Sequence, residues 1–216
     1  MKSLDNSFLT DKIKLIAGID EAGRGPLAGP VVVAAVIFPE RTRIYGVNDS
    51  KLLTEEEREK LYPRILEKAL CYSVSVISHG TIDRINILQA SLLGMKTAAL
   101  RLKNQPDLIL VDGNKIFNFP IPVIPLVKGD SRSFAIASAS IIAKVTRDRI
   151  MKRLCHLYPH YLWSKNKGYA TQEHVHAIKV YGPCCLHRKT FLSRILYDEP
   201  LPEFEFAMEE EEAAVL

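Results

Sequence analysis

Hydrophobic and polar positions follow two periods along this chain, and the points where the period changes mark its elements. Ile13–Asp20 is mostly apolar; Gly23, Gly25 and Pro26 then force a turn, and an unbroken apolar run extends from Val31 to Phe38. Such runs bounded by turn residues predict two strands, here a hairpin around a glycine-rich turn. Thr54 followed by Glu55, Glu56 and Glu57 has the form of a capping box and predicts a helix to about Ala69. A third strand is expected over Tyr72–Ser78. Asn86–Lys103 carries Ile87, Leu88, Leu92, Met95, Ala99 and Leu102 at helical spacing, and Leu108–Val111 reads as a buried strand ending at Asp112-Gly113-Asn114. Val123–Leu126 is a further short strand. Ser133–Leu154 is helical and crowded with Ala135, Ala137, Ser138, Ala139, Ser140 and Ala143, small residues that let a helix lie close against a sheet. Two or three shorter helices follow. The order β-β-α-β-α-β-β-α predicts an α/β fold with a mixed sheet.

At 216 residues and 47% apolar composition the chain can bury one ordinary core. No repeat or linker divides it, so one domain is expected over residues 1–198, with a helical C-terminal part from about 155. No stretch approaches the roughly 18–20 unbroken apolar residues that span a bilayer, and Asp5, Asn6, Asp11 and Lys12 break any apolar run near the start, so no signal peptide is expected. A soluble cytoplasmic monomer without a membrane partner is expected. Cys71, Cys155, Cys184 and Cys185 lack the C-x-x-C spacing of a zinc ribbon and are expected as free thiols.

The net charge of +4 conceals an asymmetry. Residues 199–216 hold seven of the 25 acidic residues and no Lys or Arg, and are expected to be a solvated, disordered tail. The preceding 198 residues therefore carry all 29 basic residues against 18 acidic ones, a balance of +11. Residues 128–194 alone hold 13 basic against three acidic. Such a region suits a polyanion, and nucleic acid is the leading candidate.

Asp20, Glu21, Asp112 and Asp130 each fall at a predicted strand end or helix start, beside Gly23, Gly113 or Gly129. Sites on α/β sheets collect at such edges. A lone Asp beside Gly is more often a turn residue or a helix cap than a ligand; four at apolar strand ends are harder to explain that way. With no His or Cys beside them they offer hard oxygen ligands, suited to Mg²⁺ or Mn²⁺, and two such ions support phosphodiester hydrolysis without a protein nucleophile. Neighbouring strand residues point to opposite faces, so Asp20 and Glu21 share a site only if the strand breaks there, which Gly23 permits. His79, His156, His160, His174, His176 and His187 form no ligand pattern and read as surface or packing residues. Ser50, Ser131 and Ser140 lack the setting of a serine nucleophile.

Gly18-Ile19-Asp20-Glu21-Ala22-Gly23-Arg24-Gly25-Pro26 resembles the N-terminal signature of bacterial ribonuclease HII. Asn48-Asp49-Ser50-Lys51, Val111-Asp112-Gly113-Asn114, Lys128-Gly129-Asp130, the segment from Ala139 to Asp148, Lys167-Gly168-Tyr169 and His187-Arg188 resemble its later blocks, in order. The resemblance spans roughly residues 13–195. It implies a ribonuclease-H-like mixed sheet flanked by helices, with a small helical C-terminal extension. It further implies an endonuclease acting on RNA/DNA hybrids and on ribonucleotides within duplex DNA, leaving 5′-phosphate and 3′-hydroxyl ends. Asp20, Glu21, Asp112 and Asp130 would be its catalytic, metal-binding acids.

By the same resemblance, the Gly23-Arg24-Gly25 main chain would sense 2′-hydroxyls, the missing Cβ atoms allowing close approach. Tyr169 would pack against the neighbouring deoxyribose, although a partly buried core tyrosine is its ordinary alternative. Lys51, Lys128, Lys144 and Arg147 are the cations expected on phosphates, with surface solubilisation competing for each; Lys144 and Arg147, three apart, share a helix face. His187 and Arg188 are substrate or structural contacts. Another two-metal nuclease on this fold, or a hybrid-binding protein without catalysis, are the rivals. The Gly-Arg-Gly loop with Tyr169 disfavours the first, and four intact acids disfavour the second. The HIII branch carries an extra N-terminal module and a lysine in place of Arg24; about a dozen residues precede the first strand here. Whether a sliding clamp binds is left open.

Overall fold

A computed structural model describes residues 1–197; the acidic run at 199–216 lies outside the described residues. The elements are α1 (Lys2–Ser7), β1 (Ile16–Ala22), β2 (Val31–Ile37), α2 (Glu55–Lys68), β3 (Cys71–Ile77), α3 (His79–Leu100), β4 (Leu108–Asp112), β5 (Val123–Leu126), α4 (Gly129–Arg132), α5 (Phe134–Leu157), a 3₁₀ turn (Pro159–Tyr161), α6 (Trp163–Asn166), α7 (Gln172–Tyr181) and α8 (Lys189–Tyr197). The sheet runs β3-β2-β1-β4-β5. β1 pairs antiparallel with β2 and parallel with β4; β2–β3 is antiparallel and β4–β5 parallel, so the sheet is mixed as expected.

Side-chain alternation along β2 sorts the core into two layers. Val33, Ala35 and Ile37 pack with Met95, Ala98 and Ala99 of α3, while Ala34 and Val36 pack with Ile65 of α2 and Ala139, Ile142 and Ala143 of α5. All seven β2 residues are buried, which explains their unbroken apolar run. α5 approaches so closely that a Cβ on Gly18 would stand 2.2 Å from the Ala135 carbonyl carbon. The small residues at the start of α5 and the glycine in β1 are thus one feature. A separate cluster joins Leu27 and Ala28 of the β1–β2 loop to Met151, Tyr161, Trp163, Ala177, Ile178 and Leu192 of the C-terminal helices.

Two elements differ from expectation. The helix expected from Asn86 starts at His79, capped by Ser78, and Asn86 (φ 64°, ψ 166°) interrupts it and recaps the second part through Gln89 N–H. The short α1 was not foreseen; its Asp5 is buried and accepts from Ala135 N–H at the start of α5. α2 begins with the expected capping box between Thr54 and Glu57.

Candidate active site

Carboxylate oxygens of Asp20, Asp112 and Asp130 lie within 4.8 Å of one another. Three elements deliver them: the end of β1, the last residue of β4, and the first turn of α4. Asp20 Oδ1 accepts from Glu21 N–H at 2.7 Å, and Asp112 Oδ1 from Gly129 N–H at 2.7 Å, so main chain orients both acids. Burial, with the charges of Glu21 and Asp112, pushes the Asp20 carboxyl well above its usual range. Burial and then Asp130 raise Asp112. Like charges held together out of water need a cation, and all the donors here are hard oxygens.

Glu21 does not join that cluster, and the reason corrects the expected break in β1. The strand runs on through Ala22, with Asp20 opposite Ala34, Glu21 opposite Val33 and Ala22 opposite Val32. Alternation therefore separates the two acids. Glu21 Oε1 takes a 3.3 Å ion pair from Arg24, while its Oε2 is buried without a hydrogen-bond partner. Burial raises Glu21, and Arg24 partly offsets this. An orphaned carboxylate oxygen beside three crowded ones fits a divalent-ion site in which Glu21 would be a further ligand.

Lys51 and Lys128 are exposed, Lys51 with its Nζ 3.0 Å from Asp130 Oδ2. The loop bearing Lys51 is fixed from beneath. Buried Arg58 of α2 donates to the carbonyls of Ser50 (2.8 Å) and Leu53, and Ser50 Oγ meets Ser140 Oγ at 2.8 Å. Arg58 escaped the sequence reading, although it shares the buried face of α2 with Leu61 and Ile65, where a charged residue is out of place. Lys144 is half-buried and pairs with Asp148 at 2.7 Å, so that carboxylate already holds it.

Burial corrects the phosphate contact expected of Arg147 and leaves His187 and Arg188 their structural alternative. Arg147 is fully buried and donates to the carbonyls of Pro30, Lys167 and Ala28. Arg188 is fully buried too, donating to those of Gly29, Arg24 and Gly23. His187 is buried beside His174, with Nε2 atoms 3.2 Å apart. None of the three can meet a phosphate at the surface. Sequence could not separate Arg147 and Arg188 from exposed cations, because their partners are backbone carbonyls. Gly23 is likewise buried, at φ +98°, and a Cβ there would lie 2.0 Å from Arg147 Nε; its bareness makes room for Arg147 rather than for substrate. Arg24 and Gly25 are exposed beside Tyr169, which is 42% exposed, and a Cβ on Gly25 would lie 3.8 Å from Tyr169 Cε1. No helix among the described residues is long and apolar enough to cross a membrane.

The family model described as Ribonuclease HII matches residues 17–198. Ribonuclease HII of Caldanaerobacter subterraneus subsp. tengcongensis is 50% identical over 196 residues, covering 91% of this chain and 81% of that protein. That of Caldicellulosiruptor saccharolyticus is 49% identical over 193 residues, 89% and 94% of the two chains. Among solved structures, ribonuclease H2 from Pyrococcus horikoshii OT3 superposes with a TM-score of 0.70 at 29% identity, over 85% of this chain and 100% of that one. RNase HII in the PCNA:RNase HII complex from Archaeoglobus fulgidus gives 0.72 at 27%, over 88% and 98%. With three acids drawn together on a ribonuclease-H-like sheet and half-identical relatives along most of its length, the chain belongs to the ribonuclease HII family and is a metal-dependent endoribonuclease of RNA/DNA hybrids.

Proposed function

We propose that this ribonuclease also cuts on the 5′ side of single ribonucleotides embedded in duplex DNA, leaving 5′-phosphate and 3′-hydroxyl ends, with two divalent ions at its carboxylates. The observation that carries the reading is a juxtaposition: the exposed Gly25 lies against Tyr169, and the same β1 that leads into this loop carries Asp20 and Glu21 in its last three residues. Asp20, Glu21, Asp112 and Asp130 would hold the ions, Mg²⁺ or Mn²⁺ by donor chemistry. Ions bound there would supply positive charge at the scissile phosphate and lower the pKa of the attacking water.

The chain's own residues do the rest. The Arg24 and Gly25 peptides present main chain to a 2′-hydroxyl, the group that distinguishes RNA from DNA. The exposed Tyr169 ring offers a flat face to the next sugar, which fits best when that sugar lacks its hydroxyl. Lys51 and Lys128, both exposed, attract phosphate and position it over the carboxylates. Lys51 already neutralises Asp130 in part.

The test is cleavage of a labelled DNA duplex holding one ribonucleotide, beside an all-DNA control, in Mg²⁺, Mn²⁺ or EDTA. Cutting only 5′ of the ribonucleotide and only with metal is the expected result. Activity in EDTA removes the metal mechanism, and cutting of the all-DNA control removes the sugar-reading role of the loop and Tyr169.

A further inference from the structure

Long cationic side chains are almost never fully buried unless paired, yet two lie side by side beneath the β1–β2 loop. Arg188 donates from Nε to Gly29 O (3.1 Å) and from its two terminal nitrogens to Arg24 O (2.8 Å) and Gly23 O (2.6 Å). Arg147 donates in the same way to Pro30 O (3.0 Å), Lys167 O (2.9 Å) and Ala28 O (3.2 Å). Five of these six carbonyls belong to residues 23–30. The sixth precedes Gly168-Tyr169, and Leu27 N–H donates to Gly168 O at 2.7 Å.

The direction of these bonds matters. A trans peptide carries its N–H opposite its carbonyl. Drawing the Gly23 and Arg24 carbonyls inward turns the Arg24 and Gly25 N–H groups outward, at the two residues of the loop that are exposed. A guanidinium suits the task because its five donors form a rigid planar fork that can serve three acceptors, whereas an ammonium is a compact point charge on a flexible stem. Arg147 meanwhile ties the loop to the segment bearing Tyr169, its guanidinium carbon 5.8 Å from the centre of that ring.

We propose that Arg147 and Arg188 are positioning residues that fix the Arg24 and Gly25 peptides relative to Tyr169, and so set the preference for a ribose followed by a deoxyribose without touching substrate. This rests on the sugar-reading roles given to the loop and to Tyr169 above. Loss of the Arg188 fork lets the two peptide planes rotate, which weakens recognition of a lone ribose. A run of ribonucleotides suffers less, because it offers hydroxyls in every register.

The test compares the full-length protein with Arg188→Ala and Arg188→Lys. The substrates are a duplex with one embedded ribonucleotide and a hybrid with an uninterrupted RNA strand, each measured for kcat and KM, with a thermal melt alongside. In R188A the preference for the single ribonucleotide, as a ratio of kcat/KM values, is expected to fall about tenfold or more, the scale set by small displacements of a recognition element. A few millimolar guanidinium chloride is expected to restore part of that ratio, and R188K to leave it lowered. An unchanged ratio in R188A, with both substrates losing rate equally, overturns the proposal, as does guanidinium raising both rates alike. Should R188A fail to fold, R188K carries the test, since it keeps the buried charge; a wild-type ratio there overturns the proposal. A wild-type enzyme that prefers neither substrate overturns the sugar-reading roles and this inference together, whereas a preference that survives R188A overturns this inference alone.

Discussion

Lys51 Nζ meets Asp130 Oδ2 at 3.0 Å across 79 positions of sequence, joining an exposed side chain to a buried carboxylate. Lys51 is 76% exposed at its side chain, and ion pairs with such an exposed partner contribute about 0–1 kcal/mol. Lys51→Ala is therefore expected to move the melting temperature by no more than about 2–4 °C. Turnover of a hybrid should nonetheless fall about tenfold or more, because the lost cation stands where phosphate must approach four acids. A melt and steady-state kinetics check both halves; unchanged kinetics would remove Lys51 from the site.

Asp112→Asn separates catalysis from stability in the opposite sense. The substitution keeps the shape of a side chain crowded by Asp20 and Asp130 while removing one of the repelling charges. Without metal, the variant is expected to be as stable as the wild type or up to about 1 kcal/mol more so. Activity should drop on the order of 10²–10³-fold or further. Added Mg²⁺ or Mn²⁺ should raise the wild-type melting temperature and leave that of the variant nearly fixed. An equal ion-induced rise in both proteins would place the ions elsewhere.

The two buried histidines predict an acid limit. Cys184 N–H donates to His187 Nδ1, which leaves the proton of that ring on Nε2, 3.2 Å from His174 Nε2; His174 Nε2 accepts from Trp163 Nε1–H at 2.9 Å, and His174 Nδ1–H donates to Tyr169 O. Every ring nitrogen is thus placed for two neutral rings. Burial, and then His174, push His187 down to about 4 from 6.5. The unfolded chain takes up a proton near 6.5 and the folded one only near 4, so stability is full above that window and is lost as pH falls through it. The loss is about 3 kcal/mol. Urea unfolding at pH 7, 5.5 and 4.5 should show it, and His187→Gln should flatten the profile by a similar amount. Parallel profiles would mean that His187 does not titrate with folding.

Gly18→Ala tests the contact between β1 and α5. The added Cβ would meet Ala135 backbone at 2.2 Å, and neither a central strand nor a buried helix start can yield cheaply. A loss of about 3 kcal/mol or more is expected in urea unfolding. A loss below about 1 kcal/mol would show that α5 can shift outward.

The order of strands and long helices was legible because burial patterns differ so plainly: β2 apolar throughout, β3 alternating, α5 dense in small residues. The positions of Asp20, Asp112 and Asp130 were legible from strand ends and glycines. The break expected in β1 after Asp20 was wrong, because whether a strand stops or continues depends on its partner, here Val33 opposite Glu21. Arg147 was misjudged for a different reason, and of the two readings offered for His187 and Arg188 burial leaves the structural one. A basic residue in a basic region looks like a phosphate ligand, and nothing in sequence reveals that Arg147 and Arg188 reach carbonyls more than 100 positions away.

The wiring of the β1–β2 loop also orders events in time. Its carbonyls wait for Arg188, 159 to 165 positions further along the chain. Chains are synthesised from the N-terminus, and contacts of such separation close late. While translation is unfinished, the acids at 20, 21, 112 and 130 already exist and the fork beneath Gly23 and Arg24 does not. On the role proposed for Arg188, a truncated copy lacking it would keep the four acids while the peptides proposed to read the sugar went unfixed.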